Sequence, residues 1–256
     1  MQKLELGLKS GEAAYFASDF HLGAPNPEKS LEREKKIVRW LDSLSDCRYL
    51  FLMGDLFDFW FEYRHVVPKG HVRFLGKLAE LSDRGVDVFL FTGNHDMWMF
   101  GYLEEQLNAR VFRQTIEVNL QGKKLLAGHG DGLGPGDHTY KLLKKVFENR
   151  LCQLLFGALH PGIGFGIAKA WSSHSRISNN KDEAFLGDRE YLLRYCREIH
   201  AGNAFDYYIF GHRHLPLDLP VGESGRYLNT GEWMNHCRYL RFDGLHMEML
   251  EWEPAS

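Results

Sequence analysis

Five short polar clusters hold the residues of this chain whose types and spacing could do chemistry. They are Asp19-Phe20-His21, Gly54-Asp55 continuing through Leu56-Phe57-Asp58, Gly93-Asn94-His95-Asp96, Gly128-His129-Gly130-Asp131 and Gly211-His212-Arg213-His214. From them Asp19, His21, Asp55, Asn94, His129, His212 and His214 offer three acidic or amide oxygen donors and four imidazoles, with no cysteine. That mixture suits manganese, iron or zinc better than an all-oxygen calcium or magnesium site or a closed thiolate-zinc site. Taken singly, each cluster is ordinary loop material, because Asn and Asp form turns with their own backbone and loops often carry solvated histidines. Five in order, each behind an apolar run, is an arrangement that unrelated loops do not produce.

The runs that position them are short and apolar. Segments 13–18, 49–53, 86–92, 124–127 and 207–210 each stop at a glycine or aspartate and predict buried strands. Alternation in an extended segment is expected to point Asp19 and His21 to the same side. A glycine ahead of four clusters lets the backbone turn sharply and approach a bound ion or phosphate. Leu31, Ile37, Trp40, Leu41 and Leu44 share one helical face, with charged residues 32–36 largely on the other, which predicts a helix covering a sheet. Segments 226–229, 238–242 and 246–252 read as further strands.

At 256 residues and 44% hydrophobic, the chain predicts one domain over 1–256. A formal net charge of -3 gives no basic field to gather nucleic acid, so no nucleic-acid partner is expected. Cys47, Cys152, Cys196 and Cys237 form no CxxC pair and read as reduced core thiols of a cytosolic protein. Without a secretory pattern at the N-terminus or an uncharged apolar run near 18 residues, the expectation is a cytoplasmic protein, at most peripheral on a membrane face.

The ordered set DxH, GDxxD, GNH(D/E), GH and GHxH resembles the calcineurin-like metallophosphoesterase superfamily, from Asp19 to His214. The resemblance implies an α/β fold, a two-sheet β-sandwich flanked by helices, with every motif on loops at one edge. It also implies two divalent ions, one held by Asp19, His21 and His214, the other by Asn94, His129 and His212, with Asp55 bridging them. The ions would supply the nucleophile from water and clamp the attacking and leaving oxygens. His95 would contact the phosphoryl group or protonate the leaving oxygen, and Asp96 would fix the tautomer of His95. Asp58 and Asp131 either orient ligands through hydrogen bonds or cap loops.

A finer resemblance lies in DFHLGAP, GDLFDFWFEY and HGDGLGPGDHTY, which are similar to the UDP-2,3-diacylglucosamine diphosphatases of lipid A synthesis. Asp137 and Tyr140 match that family's downstream aspartate and tyrosine. The implied reaction cleaves a pyrophosphate to UMP and 2,3-diacylglucosamine 1-phosphate at the inner membrane surface, with manganese the expected metal and iron or zinc the alternatives. One departure is His95, where the family's best-known branch carries arginine after the Gly-Asn pair.

A helical cap insertion is expected at about 134–185. Between Asp137 and Lys181 seven basic residues face two acids, a formal +5. Glycine-broken apolar stretches at 151–159 and 161–167 read as a helical hairpin. Basic flanks around apolar surface suit an acylated nucleotide-sugar at an anionic bilayer face. A lid that packs its apolar face onto the sandwich is the alternative. Lys141, Lys144, Lys145 and Arg176 could guide the diphosphate, and Ser175 and Arg176 join Asp137 and Tyr140 as candidate substrate contacts. Two other functions stay open: a phosphoesterase of a soluble monoester or diester, and a non-catalytic scaffold of the same fold.

Overall fold

Strict alternation in the buried strands, which sends successive side chains to opposite faces, builds a layered structure. The computed structural model describes residues 1–136, 138–168, 170 and 184–253. Its strands are β1 (Lys3–Leu6), β2 (Ala13–Ala17), β3 (Cys47–Leu52), β4 (Asp87–Phe91), β5 (Arg110–Phe112) and β6 (Ile116–Leu120). There follow β7 (Lys123–Ala127), β8 (Tyr207–Phe210), β9 (Pro216–Val221), β10 (Gly225–Thr230), β11 (Arg238–Phe242) and β12 (Met247–Glu251). They form two six-stranded mixed sheets, ordered β1-β6-β7-β8-β10-β9 and β12-β11-β2-β3-β4-β5.

Phe16, Phe51, Phe89 and Phe91 of the second sheet meet Val118, Leu125, Ile209 and Leu228 of the first in a shared core. The intervening residues Tyr15, Ala17, Leu50, Leu52, Val88 and Leu90 turn the other way, into a core with Ile37, Trp40, Phe74 and Leu78. The helices on that outer face are α1 (Pro27–Ser43), α2 (Val72–Asp83) and α3 (Tyr102–Leu107). Asn26 caps α1 by accepting from Lys29 N at 2.9 Å, and Pro27 opens it, so the helix starts where its sequence signals say.

Beyond β7 come α4 (His138–Glu148), α5 (Arg150–Gly157) and α6 (Pro161–Ala168), and later α7 (Tyr191–Gly202), which packs on the first sheet's outer face. No residue of α4 or α5 is fully buried, and Leu142, Leu151, Leu154 and Leu155 are exposed. These leucines lie on one side of the helices, while Phe147 and Phe156 turn the other way, onto Trp98, Phe59 and Phe61. No single described helix is long and apolar enough to cross a membrane, while α5 and α6 together pass by length and composition as a pair bent by 119°.

Candidate metal centre

All five clusters lie just beyond strand ends: Asp19 and His21 after β2, Asp55 after β3, Asn94 to Asp96 after β4, His129 after β7, and His212 and His214 after β8. Asp19 and His21 do reach the same side, but not by the expected strand alternation. The strand stops at Ala17, and Asp19 (φ 55°) and His21 (φ 43°) both take left-handed backbone. Asp55 (φ 52°), His212 (φ 68°) and His214 (φ 55°) do the same. Non-glycine residues hold that conformation at a cost of about 1–3 kcal/mol each, and only where their surroundings force it. Five such residues in one cluster mark a site where ligand direction takes precedence over backbone comfort. Two glycines answer for close approach: a Cβ on Gly93 would lie 2.6 Å from Asp55 N, and one on Gly211 would lie 2.6 Å from Asp19 Oδ2.

The donor atoms converge as two groups that share one oxygen. Nε2 of His214 is 3.2 Å from Oδ1 of Asp19, and Nε2 of His21 is 3.8 Å from the same oxygen and 3.9 Å from Oδ2 of Asp55. On the other side Nε2 of His129 is 3.4 Å from Oδ2 of Asp55 and 3.3 Å from Oδ1 of Asn94. Asp19, His21, Asp55 and His214 can hold one ion, and Asp55, His129 and His212 the other, with Asn94 beside His129. A third group, His21, Asp58 and His95, adjoins the first.

The unliganded electrostatics are those of a cation site. Oδ1 of Asp19 is buried without a hydrogen bond of good geometry, an arrangement that costs free energy unless a cation meets it. Burial opposes ionisation of Asp55, but the charges of His129, His95 and His21 outweigh it and hold the carboxyl well below its usual range. His129, whose neutral form burial favours, is driven up to about 10 by Asp55, whereas burial and the neighbouring His129 push His212 down to about 4. The ring of His212 lies 5.1 Å from that of His129, whose Nε2 sits against the Asp55 carboxylate, so divalent ions in the place of the proton would find imidazole and carboxylate donors together. The residues present fit a pair of divalent ions.

His95 is oriented by a different partner from the one expected. Its Nδ1 is 3.0 Å from the backbone oxygen of Asp58, and the Asp58 carboxylate is 3.8 Å from the same nitrogen. The carboxylate of Asp96 instead accepts from the backbone amides of Gly93 (2.7 Å), Leu56 (2.7 Å), Asp55 (3.2 Å) and Phe57 (3.4 Å). Burial and the adjacent Asp55 raise its pKa to about 7. Asp96 thus clamps the Asp55 turn to the Asn94 turn. Tyr140 donates to Oδ2 of Asp131 at 2.5 Å, and Lys144 donates to the same oxygen at 2.7 Å, tying α4 to the His129 loop. Asp137, Ser175 and Arg176 lie outside the described residues.

Three buried contributors were not visible in the sequence. Arg33 on α1 binds the carbonyls of Phe20, His21 and Ala24. Arg213, between two ligand histidines, pairs with Glu190 at 2.5 Å, and both are buried. Ser18 hydrogen-bonds the Asp19 carboxylate and Thr230 Oγ1. A charged residue inside the apolar face of α1 was the one available signal, for Arg33.

Above the centre lies a cavity of about 560 Å³. Asn94, His95 and His212 line it at the metal end, and Trp98, Phe147 and Phe156 line its apolar wall. Trp98 Nε1 donates to Phe147 O at 2.9 Å, and Phe59 and Phe61 pack on Phe156, so the aromatic run after Asp58 anchors the helices above it.

This fold and this ligand cluster define a metal-dependent hydrolase of phosphoric esters. Residues 14–216 match the family model described as calcineurin-like phosphoesterase, and the chain belongs to that family, whose members use a dinuclear divalent metal site. It is 38% identical over 254 residues to the UDP-2,3-diacylglucosamine hydrolase of Porphyromonas gingivalis, covering 93% of this chain and 97% of that one. The protein of the same name from Neisseria meningitidis serogroup A is 29% identical over 234 residues, covering 90% and 94%. That from Edwardsiella ictaluri is 26% identical over 253 residues, covering 95% and 94%.

Proposed function

We propose that this chain hydrolyses the pyrophosphate bond of UDP-2,3-diacylglucosamine to UMP and 2,3-diacylglucosamine 1-phosphate, with manganese as its metal. The observation that carries this reading is the direct opening of the ligand cluster into an aromatic-walled cavity of about 560 Å³. A small soluble phosphoester needs no such wall, whereas an acylated one gains about 25 cal/mol for each Å² of apolar surface it buries. The names of the three relatives point to the same substrate. Exposed Leu151, Leu154 and Leu155 beside Lys145 and Arg150 suit work at the cytoplasmic face of an anionic inner membrane.

Asp19, His21 and His214 would hold one ion, Asn94, His129 and His212 the other, and Asp55 both. Two bound divalent ions supply Lewis acidity at the phosphoryl group and acidify the attacking water. The Asp58 carbonyl accepts from Nδ1–H of His95, so in its doubly protonated form the ring presents a second N–H, at Nε2, that can donate to the phosphoryl oxygen or pass its proton to the departing oxygen. Asp96, through four amides, keeps Asp55 and Asn94 in register. The apolar wall excludes water and seats the acyl chains, so that binding energy remote from the reacting bond positions it.

The test is a comparison of kcat/KM for UDP-2,3-diacylglucosamine and for a small aryl phosphodiester, with manganese added. This reading expects the acylated nucleotide to be preferred by on the order of 10²-fold or more. Preference for the aryl ester would overturn the substrate assignment and leave the phosphoesterase class intact.

A further inference from the structure

We propose that Arg33 is a positioning residue for one of the two metal ions: by gripping the loop that carries His21, it sets the affinity of the Asp19/His21/His214 position without touching the ion. The inference rests on the ligand assignment given above. Arg33 lies on α1 and is 7% exposed. Its Nε donates to Phe20 O at 2.6 Å, and its Nη2 donates to His21 O at 2.6 Å and to Ala24 O at 2.5 Å.

The three carbonyls belong to one turn beyond β2, in which His21 has left-handed backbone and its carbonyl also accepts from Ala24 N at 3.1 Å. Converging carbonyl dipoles repel one another, and a planar, permanently charged guanidinium with several donors matches such a set better than any other side chain. The grip is itself anchored. Glu34, the next residue on α1, accepts from the amides of Arg73 and Phe74 at the start of α2. Ser30, one helical turn earlier, accepts from Gly23 N at 2.7 Å in the same loop.

The other ion's ligands are held by different groups. His129 Nδ1 lies 2.8 Å from Met53 O, and the Asn94 turn is fixed by Asp96 through Gly93 N. Loss of the Arg33 grip therefore predicts a defect at one ion only, which a general loss of stability would not produce.

The experiment is manganese titration of the metal-stripped full chain and its Arg33→Lys variant, followed by metal analysis and electron paramagnetic resonance. Lysine keeps the charge but cannot span three carbonyls. The expected result is a dissociation constant about 10- to 100-fold weaker for one ion, the size typical for loss of a ligand-orienting group. The other ion's affinity should change by less than about threefold, and at two equivalents the variant should show the uncoupled six-line manganese signal in place of the wild type's spin-coupled pair. Two ions bound by Arg33→Lys with wild-type affinities, or both weakened equally, would overturn the proposal. Should Arg33→Lys not fold, Ser30→Ala, which frees Gly23 N in the same loop, must show the same one-ion defect, and its absence there would overturn the proposal too. Fewer than two ions in the wild type would sink the ligand assignment and this proposal with it.

Discussion

Oδ2 of Asp55 lies 3.4 Å from Nε2 of His129, at the point where the two sheets bring their loops together. His129 follows β7 of one sheet and Asp55 follows β3 of the other. The same oxygen is 3.9 Å from Nε2 of His21, while the second oxygen, Oδ1, accepts from His95 N at 2.9 Å. A single buried carboxylate therefore faces both groups of ligands and fixes the turn that presents His95. Its position explains why the sandwich must be intact for the centre to exist: neither sheet alone supplies a complete set.

Replacing His95 with alanine removes an imidazole that belongs to neither ligand set and is held by the Asp58 carbonyl. The rate should fall by about 10²- to 10⁴-fold while both ions stay bound. Metal analysis beside steady-state kinetics checks this. Loss of an ion in the variant would make His95 a ligand.

Asp96→Ala should behave differently, because it leaves four backbone amides without their common acceptor. We expect a loss of stability on the order of 3 kcal/mol, read by denaturant unfolding, together with weaker metal retention. Wild-type stability and metal content combined with slow turnover would return Asp96 to the role of orienting His95.

These two residues show what could be read from the chain alone. The clusters, their order and the strand runs before them were legible because a buried strand needs an unbroken apolar run and a ligand turn needs polar residues at its end. Strand β9 was not, since Pro216 and Pro220 argue against a strand that survives here at a sheet edge. Nor was β1, whose alternating Lys3 and Glu5 leave it half exposed. Within the centre, Asp96 stands next to His95 in sequence, and the family resemblance implied that it would orient that imidazole. Asp96 instead turns to the amides of the Asp55 turn and His95 to the Asp58 carbonyl, partners some forty residues away that adjacency does not reveal. Long-range holders such as Arg33 and the Arg213–Glu190 pair depend on tertiary contacts that spacing does not encode.

Leu143 lines the cavity from α4. Leu143→Glu puts a charge on the apolar wall, which an acyl chain could meet only by desolvating it. We expect kcat/KM for the acylated nucleotide to fall by at least about 10-fold, and that for a small aryl phosphodiester to change by less than about twofold. An equal fall for both, in a variant with unchanged metal content, would remove the cavity from substrate recognition.

The central claim, two ions sharing Asp55, is tested most directly by stripping the wild-type protein of metal and restoring manganese stepwise while metal content and turnover are measured on the same samples. With each ion supplying part of the charge stabilisation, turnover should stay negligible in the one-ion form and appear with the second equivalent. Full turnover at one ion per chain would contradict the account.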